Sequence, residues 1–450
     1  MTFCPLDSAL LGPLFTTAEM AACFSDTARL AAMIEAEAAL ARAQAALGLV
    51  PDGLADAVAA VGAGTLDLAA LGAQTAVSGV PTIPFIAAVQ KRLPADLARS
   101  FHKGATTQDI LDTALVLQLR PALALLAADL DGVLAGLAAL AEAHRATPCV
   151  GRTYGQHAAP ITFGYKAAVW LTGIADAAAA LPALRGRVLV ASLGGPVGTL
   201  ASLGADGPAV LEAFARELGL GTTPLAWHAL RGRMAEVGAW LLHLLGALAK
   251  LATDVASLAS TDVGEVAEPH VPGRGGSSAM PHKRNPVSST VILAAHAAAK
   301  GHALTLFDGM AAAHERPAGA WHAEWHALPP LFGLAAGALR EARKLAEGLQ
   351  VDAARMSSNI GLTRGLLFAD AAAARLSPRL GRAAAHDLVE HAADEVRRPG
   401  AALPAVLAAG PGAGPELDAA FDLAPAVAAA GPWVDRAVQH AAAVRGRLAG

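Results

Sequence analysis

The stretch Asp109–His144, DILDTALVLQLRPALALLAADLDGVLAGLAALAEAH, places leucine and alanine on helical spacing and contains one strong breaker, Pro121. Uninterrupted, it would run roughly 50 Å at about 1.5 Å per residue. Helices of that length belong to bundles. Comparable segments follow at 161–180, 208–218, 230–260, 287–313 and 331–350, while runs of Val, Ile, Thr and aromatics with period two are almost absent. The pattern predicts a nearly all-α protein. Between Glu236 and Lys250 lie 13 uncharged residues, Val237–Ala249. A helix apolar on all sides needs neighbours on all sides, as at the centre of an oligomer.

Working outward, 450 residues suit two or three domains. The texture divides the chain into short helices over 1–105, a central long-helix bundle over 106–348, and short helices again over 349–450, with 400–415 a Gly/Ala/Pro-rich connection. Hydrophobic residues make up 54%, yet only 19 are aromatic (11 Phe, 6 Trp, 2 Tyr). Alanine carries much of the apolar share, so a mean hydropathy of +0.44 overstates how oily the chain is. Alanine also favours helix, because it loses no side-chain entropy on ordering. Lys and Arg total 34 against 38 Asp and Glu, a net charge of -4 without blocks of one sign. That balance argues against a nucleic-acid or membrane-surface partner and for a small substrate. The longest uncharged stretch, Leu68 to Gln90, contains Gly72, Gly79, Pro81 and Pro84 and reads as a loop between helices, so no bilayer span is expected. The N-terminus has no basic region ahead of an apolar one, and Cys4, Cys23 and Cys149 have no paired spacing. A reducing cytoplasmic setting is expected, without disulfides or a thiolate metal site.

Three polar islands interrupt this background. The first, Gly104–Thr113, carries Thr106 and Thr107 at the start of a helix, where hydroxyls and free N–H groups suit a ligand carboxylate. A plain helix start, with Asp109 facing the dipole, is the simpler reading of that run alone. The second, Gly151–Thr162, offers Arg152, Thr153, Gln156 and His157 within six residues: a cation, donors and a group suited to proton transfer. Its bland alternative is a turn and a capped helix with His157 partly buried. The third, Gly273–Pro286, sets Ser277, Ser278, Lys283, Arg284 and Asn285 on a loop hinged by Gly273, Gly275 and Gly276. Cations and donors placed there suit a carboxylate and the dianionic intermediate beside it.

The run GSSAMPHKRNP, Gly276–Pro286, resembles the signature loop of the fumarase/aspartase superfamily, and the other two islands fall where that superfamily has its other shared regions. The resemblance covers nearly the whole chain. It implies an all-α, three-domain subunit whose long helices tetramerise, with each active site assembled from three subunits. Where superfamily lyases typically have Thr-His in the second region, this chain has Thr153-Tyr154, and a histidine follows at His157 within Gln-His-Ala. With Glu315-Arg316 and the Trp321/Trp325 segment, this is similar to the bacterial carboxymuconate cycloisomerase branch. The implied reaction is lactonisation of 3-carboxy-cis,cis-muconate to 4-carboxymuconolactone in protocatechuate catabolism.

The resemblance implies His157 as proton donor, with Ser277 as the alternative and Lys283 stabilising the carbanion. Lys283, Arg284, Arg152 and Arg316 are the expected counter-cations for a tricarboxylate, and Thr106, Thr107, Thr153, Gln156, Ser278 and Asn285 complete the hydrogen bonds. An adenylosuccinate- or argininosuccinate-type lyase releasing fumarate and a catalytically silent helical scaffold are the competing readings. The segments Val351–Asn359 and Leu380–His386 resemble both branches and decide little, an Arg-capped helix packing on the bundle being at least as good a reading as a ligand role. His322 and His326 stand four apart, the spacing of a zinc pair. The HExxH order and a third ligand are missing, so neither metal nor cofactor is expected.

Overall fold

The computed structural model describes residues 3–276, 279–398 and 400–448. Five long helices organise it: α1 (Thr107–Ala143), α2 (Phe163–Ala179), α3 (Gly232–Leu258), α4 (Val287–Asp308) and α5 (Ala320–Gly348). A hairpin of β1 (Pro148–Thr153) and β2 (Gln156–Thr162) joins α1 to α2, and a small antiparallel pair, β3 (Val266–Ala267) with β4 (Gln350–Val351), lies beyond the ends of α3 and α5. The all-α class is therefore as predicted, with these two exceptions.

Helix α1 is unbroken at Pro121 and so extends about 55 Å at ~1.5 Å per residue. Its start is made by Asp109, whose carboxylate accepts from the N–H of Thr106 at 2.9 Å. Helices α1, α3 and α5 run the same way, because Arg231, Asp112 and Trp321 meet near their starts while Arg152, Glu265 and Glu341 lie beyond or near their ends. Helices α2 and α4 return between them. The N-terminal helix Asp26–Ala45 and the last helix Ala424–Leu448 pack on this bundle and share its core. Residues between Ala372 and Ala420 build a smaller core of their own.

Four segments, Thr107–Ala143, Phe163–Val188, Gly232–Leu258 and Val287–Asp308, are long and apolar enough to cross a membrane by length and composition. In this fold they pack on one another, and α1 carries buried Asp109 and Asp112. Within one chain the packing leaves Leu304, Phe307 and Met310 at the end of α4 exposed.

Three local expectations are corrected. Residues 68–90 are not a loop but two helices, Leu68–Ser78 and Thr82–Gln90. Asp67 caps the first by accepting from the N–H groups of Ala69 and Ala70, and Gly79 ends it at φ +77°. The second island is a hairpin: Tyr154 and Gly155 form its two-residue turn, both with positive φ as a primed turn requires. Helix α5 begins at Ala320, eleven residues before the expected start at 331, and passes through Pro329 and Pro330.

The starts of α1, α3 and α5 are bolted by one arginine. Arg231, fully buried just before α3, donates to Asp112 of α1 at 2.7 and 3.1 Å and to Glu324 of α5 at 2.8 and 2.5 Å. The Trp321 indole donates to the same Asp112 at 3.1 Å. Burial alone would weaken the proton on Arg231, but the Asp112 and Glu324 carboxylates raise its pKa. At the start of the chain, α5 meets backbone directly: a Cβ on Gly337 would lie 2.0 Å from the carbonyl oxygen of Phe15.

Two outcomes follow for stability. Arg231→Ala leaves two buried carboxylates unpaired and is expected to destabilise by about 3–5 kcal/mol, read as a lower urea midpoint at unchanged slope. Gly337→Ala forces backbone apart and is expected to cost about 1–3 kcal/mol or more, read as a lower melting temperature.

Candidate active site

At the start of α1 the first island meets a glycine loop and a late arginine. Asp109, fully buried, accepts from Gly194 N–H at 2.8 Å and Gly195 N–H at 2.9 Å, and His228 Nε2 lies 2.6 Å from it. This anchors the 194–196 turn beside Thr106. Arg316 then reaches in: its Nε donates to Gln108 Oε1 at 3.0 Å, and its Nη2 donates to Thr106 Oγ1 and the Pro196 carbonyl, each at 3.2 Å. All three acceptors are neutral. Thr107 stands half-buried at the first helical position, its carbonyl accepting from the Thr82 hydroxyl at 3.2 Å. A cation without a counter-charge beside a helix N-terminus is a place for a carboxylate.

At the opposite end of α1 the hairpin carries the second island. Arg152, an expected counter-cation, is met by Glu265, fully buried beside β3, in a two-point ion pair at 2.9 and 2.5 Å. A buried carboxylate needs such a partner, and Asn359 adds a donor to it at 2.8 Å. His157, next to this pair, is half-buried, and its Nδ1 is buried with no hydrogen-bond partner among the described residues. Burial lowers its pKa first and the Arg152 charge lowers it further, against a smaller opposing pull from Glu265. Both effects favour the uncharged imidazole over the imidazolium. Thr153 and Gln156 flank the turn and are exposed, as is Tyr154.

The third island closes on itself. Asn285 N–H donates to the Gly275 carbonyl at 2.8 Å, Gly276 bridges Arg284, and Gly275 sits at φ +70°. A Cβ there would be 2.6 Å from the Asn285 carbonyl oxygen, so glycine is required by both dihedral and space. The base of the loop is pinned on both sides. Arg274 pairs with buried Glu341, and Ser288 donates to the same carboxylate at 2.8 Å. Glu268 accepts from the N–H groups of Ser288 and Ser289 at 2.9 and 2.8 Å, capping α4. Lys283 and Arg284 are exposed and form no ion pair among the described residues. Ser277 and Ser278 lie outside the described residues. Arg284 and Asn285 also line a cleft with Glu268, His270 and Arg274.

The second and third islands thus share one end of the bundle, on either side of β3, and the first stands a helix length away. Several of these positioning residues escape the sequence pattern. Asp109, His228, Gly194, Gly195 and Glu265 act through pairings up to 119 residues apart, and of these only Asp109 sits in an island. His322 packs between Trp321 and Trp325, with ring centroids 5.4 and 4.6 Å away. Arg355 donates to the carbonyls of Val263 and Asp262, each at 2.9 Å.

Comparison with known proteins adds the following. A family profile described as lyase matches residues 15–301. A 3-carboxy-cis,cis-muconate cycloisomerase of Pseudomonas aeruginosa is 45% identical over 438 residues, 95% of each chain. A nitrosuccinate lyase of Streptomyces davaonensis is also 45% identical, over 96% of this chain and 95% of its own. The crystal structure of a 3-carboxy-cis,cis-muconate lactonizing enzyme from Pseudomonas putida superposes with a TM-score of 0.93 at 42% identity, covering 97% of this chain and all of that one. By its signature loop, its long-helix bundle and these matches, the chain belongs to this lyase family, the fumarase/aspartase superfamily.

Proposed function

We propose that this protein is a 3-carboxy-cis,cis-muconate cycloisomerase that lactonises its substrate to 4-carboxymuconolactone. Two relatives of equal identity carry different activities, so identity alone does not choose between lactonisation and elimination. The observation that carries the choice is the second island. The position where eliminating members typically have histidine is Tyr154, an exposed turn residue, while the histidine of this chain sits three residues on in β2, half-buried beside the Arg152–Glu265 pair.

The reaction requires little covalent chemistry from the protein. One substrate carboxylate adds to a carbon–carbon double bond, forming the ring C–O bond. The displaced electron pair moves to the neighbouring carbon and into its carboxylate as a dianion, and a proton then returns to that carbon. The product is an isomer, so no co-reactant is consumed. Holding nucleophile and alkene together supplies part of the rate, and cations facing the dianion supply another. Lys283, Arg284 and Arg316 are the counter-cations of this reading, since Arg152 is already neutralised by Glu265. Thr106, Thr107, Thr153, Gln156, Ser278 and Asn285 serve as hydrogen-bonding groups, and His157 delivers the proton, with Ser277 as the alternative.

The reading includes a homotetramer with shared sites in the cytoplasm, and three domains over 1–105, 106–348 and 349–450. The length of α1 supports sharing, because Arg316 and His157 stand at its opposite ends, about 55 Å apart along the axis by helix geometry. One chain cannot bring both to one substrate. The exposed apolar end of α4 supports a partner on the bundle.

The primary test gives purified protein 3-carboxy-cis,cis-muconate and identifies the product by proton NMR. Lactone formation is expected, and turnover of nitrosuccinate or adenylosuccinate in its place would overturn the reading. His157→Ala is expected to lower kcat by roughly a hundredfold or more. The pH profiles carry a sign: the acid form of His157 is required, so kcat/KM is expected to fall as pH rises through a value below the usual 6.5. In the complex the substrate carboxylates raise that pKa, so the kcat profile is expected to shift to higher pH. Finally, mixing His157→Ala with Arg316→Ala subunits under exchange conditions is expected to restore activity that neither variant has, and no recovery in confirmed hybrids would overturn the shared site.

A further inference from the structure

We infer that Gln108 is a positioning residue that aims the Arg316 guanidinium at a substrate carboxylate while leaving its charge uncompensated. The inference rests on the reading of Arg316 as a carboxylate-binding cation. Gln108 is completely buried, yet every polar atom of its side chain is used. Its Nε2 donates to Asp112 Oδ2 at 3.1 Å and to the His228 carbonyl at 3.0 Å. Both partners are acceptors only, Asp112 being an ionised partner of Arg231. The orientation of the amide is therefore decided by chemistry, and Oε1 must face outward to Arg316 Nε, 3.0 Å away.

Each alternative side chain fails for a stated reason. Glutamate would set a second buried carboxylate against Asp112 and neutralise Arg316 from behind. Methionine or leucine would fill the space but offer no strong acceptor, freeing the guanidinium to rotate. An amide is the group of this shape that accepts from a cation on one side and donates to a carboxylate on the other. Gln108 thus ties Arg316 to the rigid Asp112–Arg231–Glu324 cluster without passing on its negative charge. The other acceptors of Arg316, Thr106 Oγ1 and the Pro196 carbonyl, are neutral too, and no carboxylate lies within salt-bridge distance among the described residues. The full charge is left for the ligand, so selectivity for a carboxylate at this subsite is set by Gln108 as well as by Arg316.

The test is a double-mutant cycle of Gln108→Met and Arg316→Gln, read as KM and kcat for carboxymuconate and as the dissociation constant of tricarballylate by calorimetry. Gln108→Met alone is expected to raise KM and the dissociation constant about tenfold to a hundredfold, the range for losing a hydrogen bond to a charged group. It should leave kcat within about threefold and the pH profile unmoved. In the Arg316→Gln background the same change is expected to add less than about twofold, because the group it positions is gone. Equal loss in both backgrounds, or a loss confined to kcat, would overturn the inference. Should Gln108→Met not fold, Gln108→Asn, an amide one methylene short, runs the same cycle. If wild-type protein binds tricarballylate without turning over carboxymuconate, the reaction assignment fails and the cycle still decides Gln108. If wild-type protein binds no tricarballylate and turns over no carboxymuconate, both fail.

Discussion

The buried ion cluster around Arg231 is the constraint on which the remaining structure depends. One guanidinium, wholly removed from water, holds a carboxylate from α1 and another from α5 at the threshold of α3. Its net worth against an apolar replacement is small in general, because desolvation offsets much of the attraction. Its geometric consequence is large: three helices are held in one axial register, and everything placed at their ends inherits that register.

From this register come two chemically different ends. Where α1, α3 and α5 begin, acidic groups are buried and satisfied, and a cation, Arg316, is held by neutral acceptors. Where they finish, Glu265 and Glu341 are buried and Glu268 is half-buried, and each is taken up by nearby donors: Arg152 for Glu265, the start of α4 for Glu268, Arg274 and Lys344 for Glu341. These carboxylates are committed, and among the described residues Lys283, Arg284 and Arg316 form no ion pair. A scaffold has no use for cations kept uncompensated next to a helix N-terminus and on a glycine-hinged loop.

Much of this was legible in the chain itself. The long helices were readable because leucine and alanine recur every three or four residues, and the third island because glycine, proline and cations stand together in an alanine-rich background. The hairpin at 148–162 was not, since its turn is Tyr154-Gly155 and lacks the Asn-Gly or Asp-Gly pair that marks such turns. The helices within 68–90 are hidden because Gly79 and Pro81 carry the signature of a loop, whereas one ends a helix and the other precedes the next. The ion pair of Arg152 was not legible either, because its partner, Glu265, lies 113 residues away.

The sequence by itself determined the helical class, the place of the three islands along the chain and the superfamily, since these are matters of periodicity and of local runs of residue types. The tertiary structure alone decided which charges are neutralised and which stand free, and which islands share an end of the bundle. Local periodicity carries no information about pairings across a hundred residues. The net charge at Arg152, Arg231 and Arg316 is set by whether folding brings each against a carboxylate, two carboxylates or an amide.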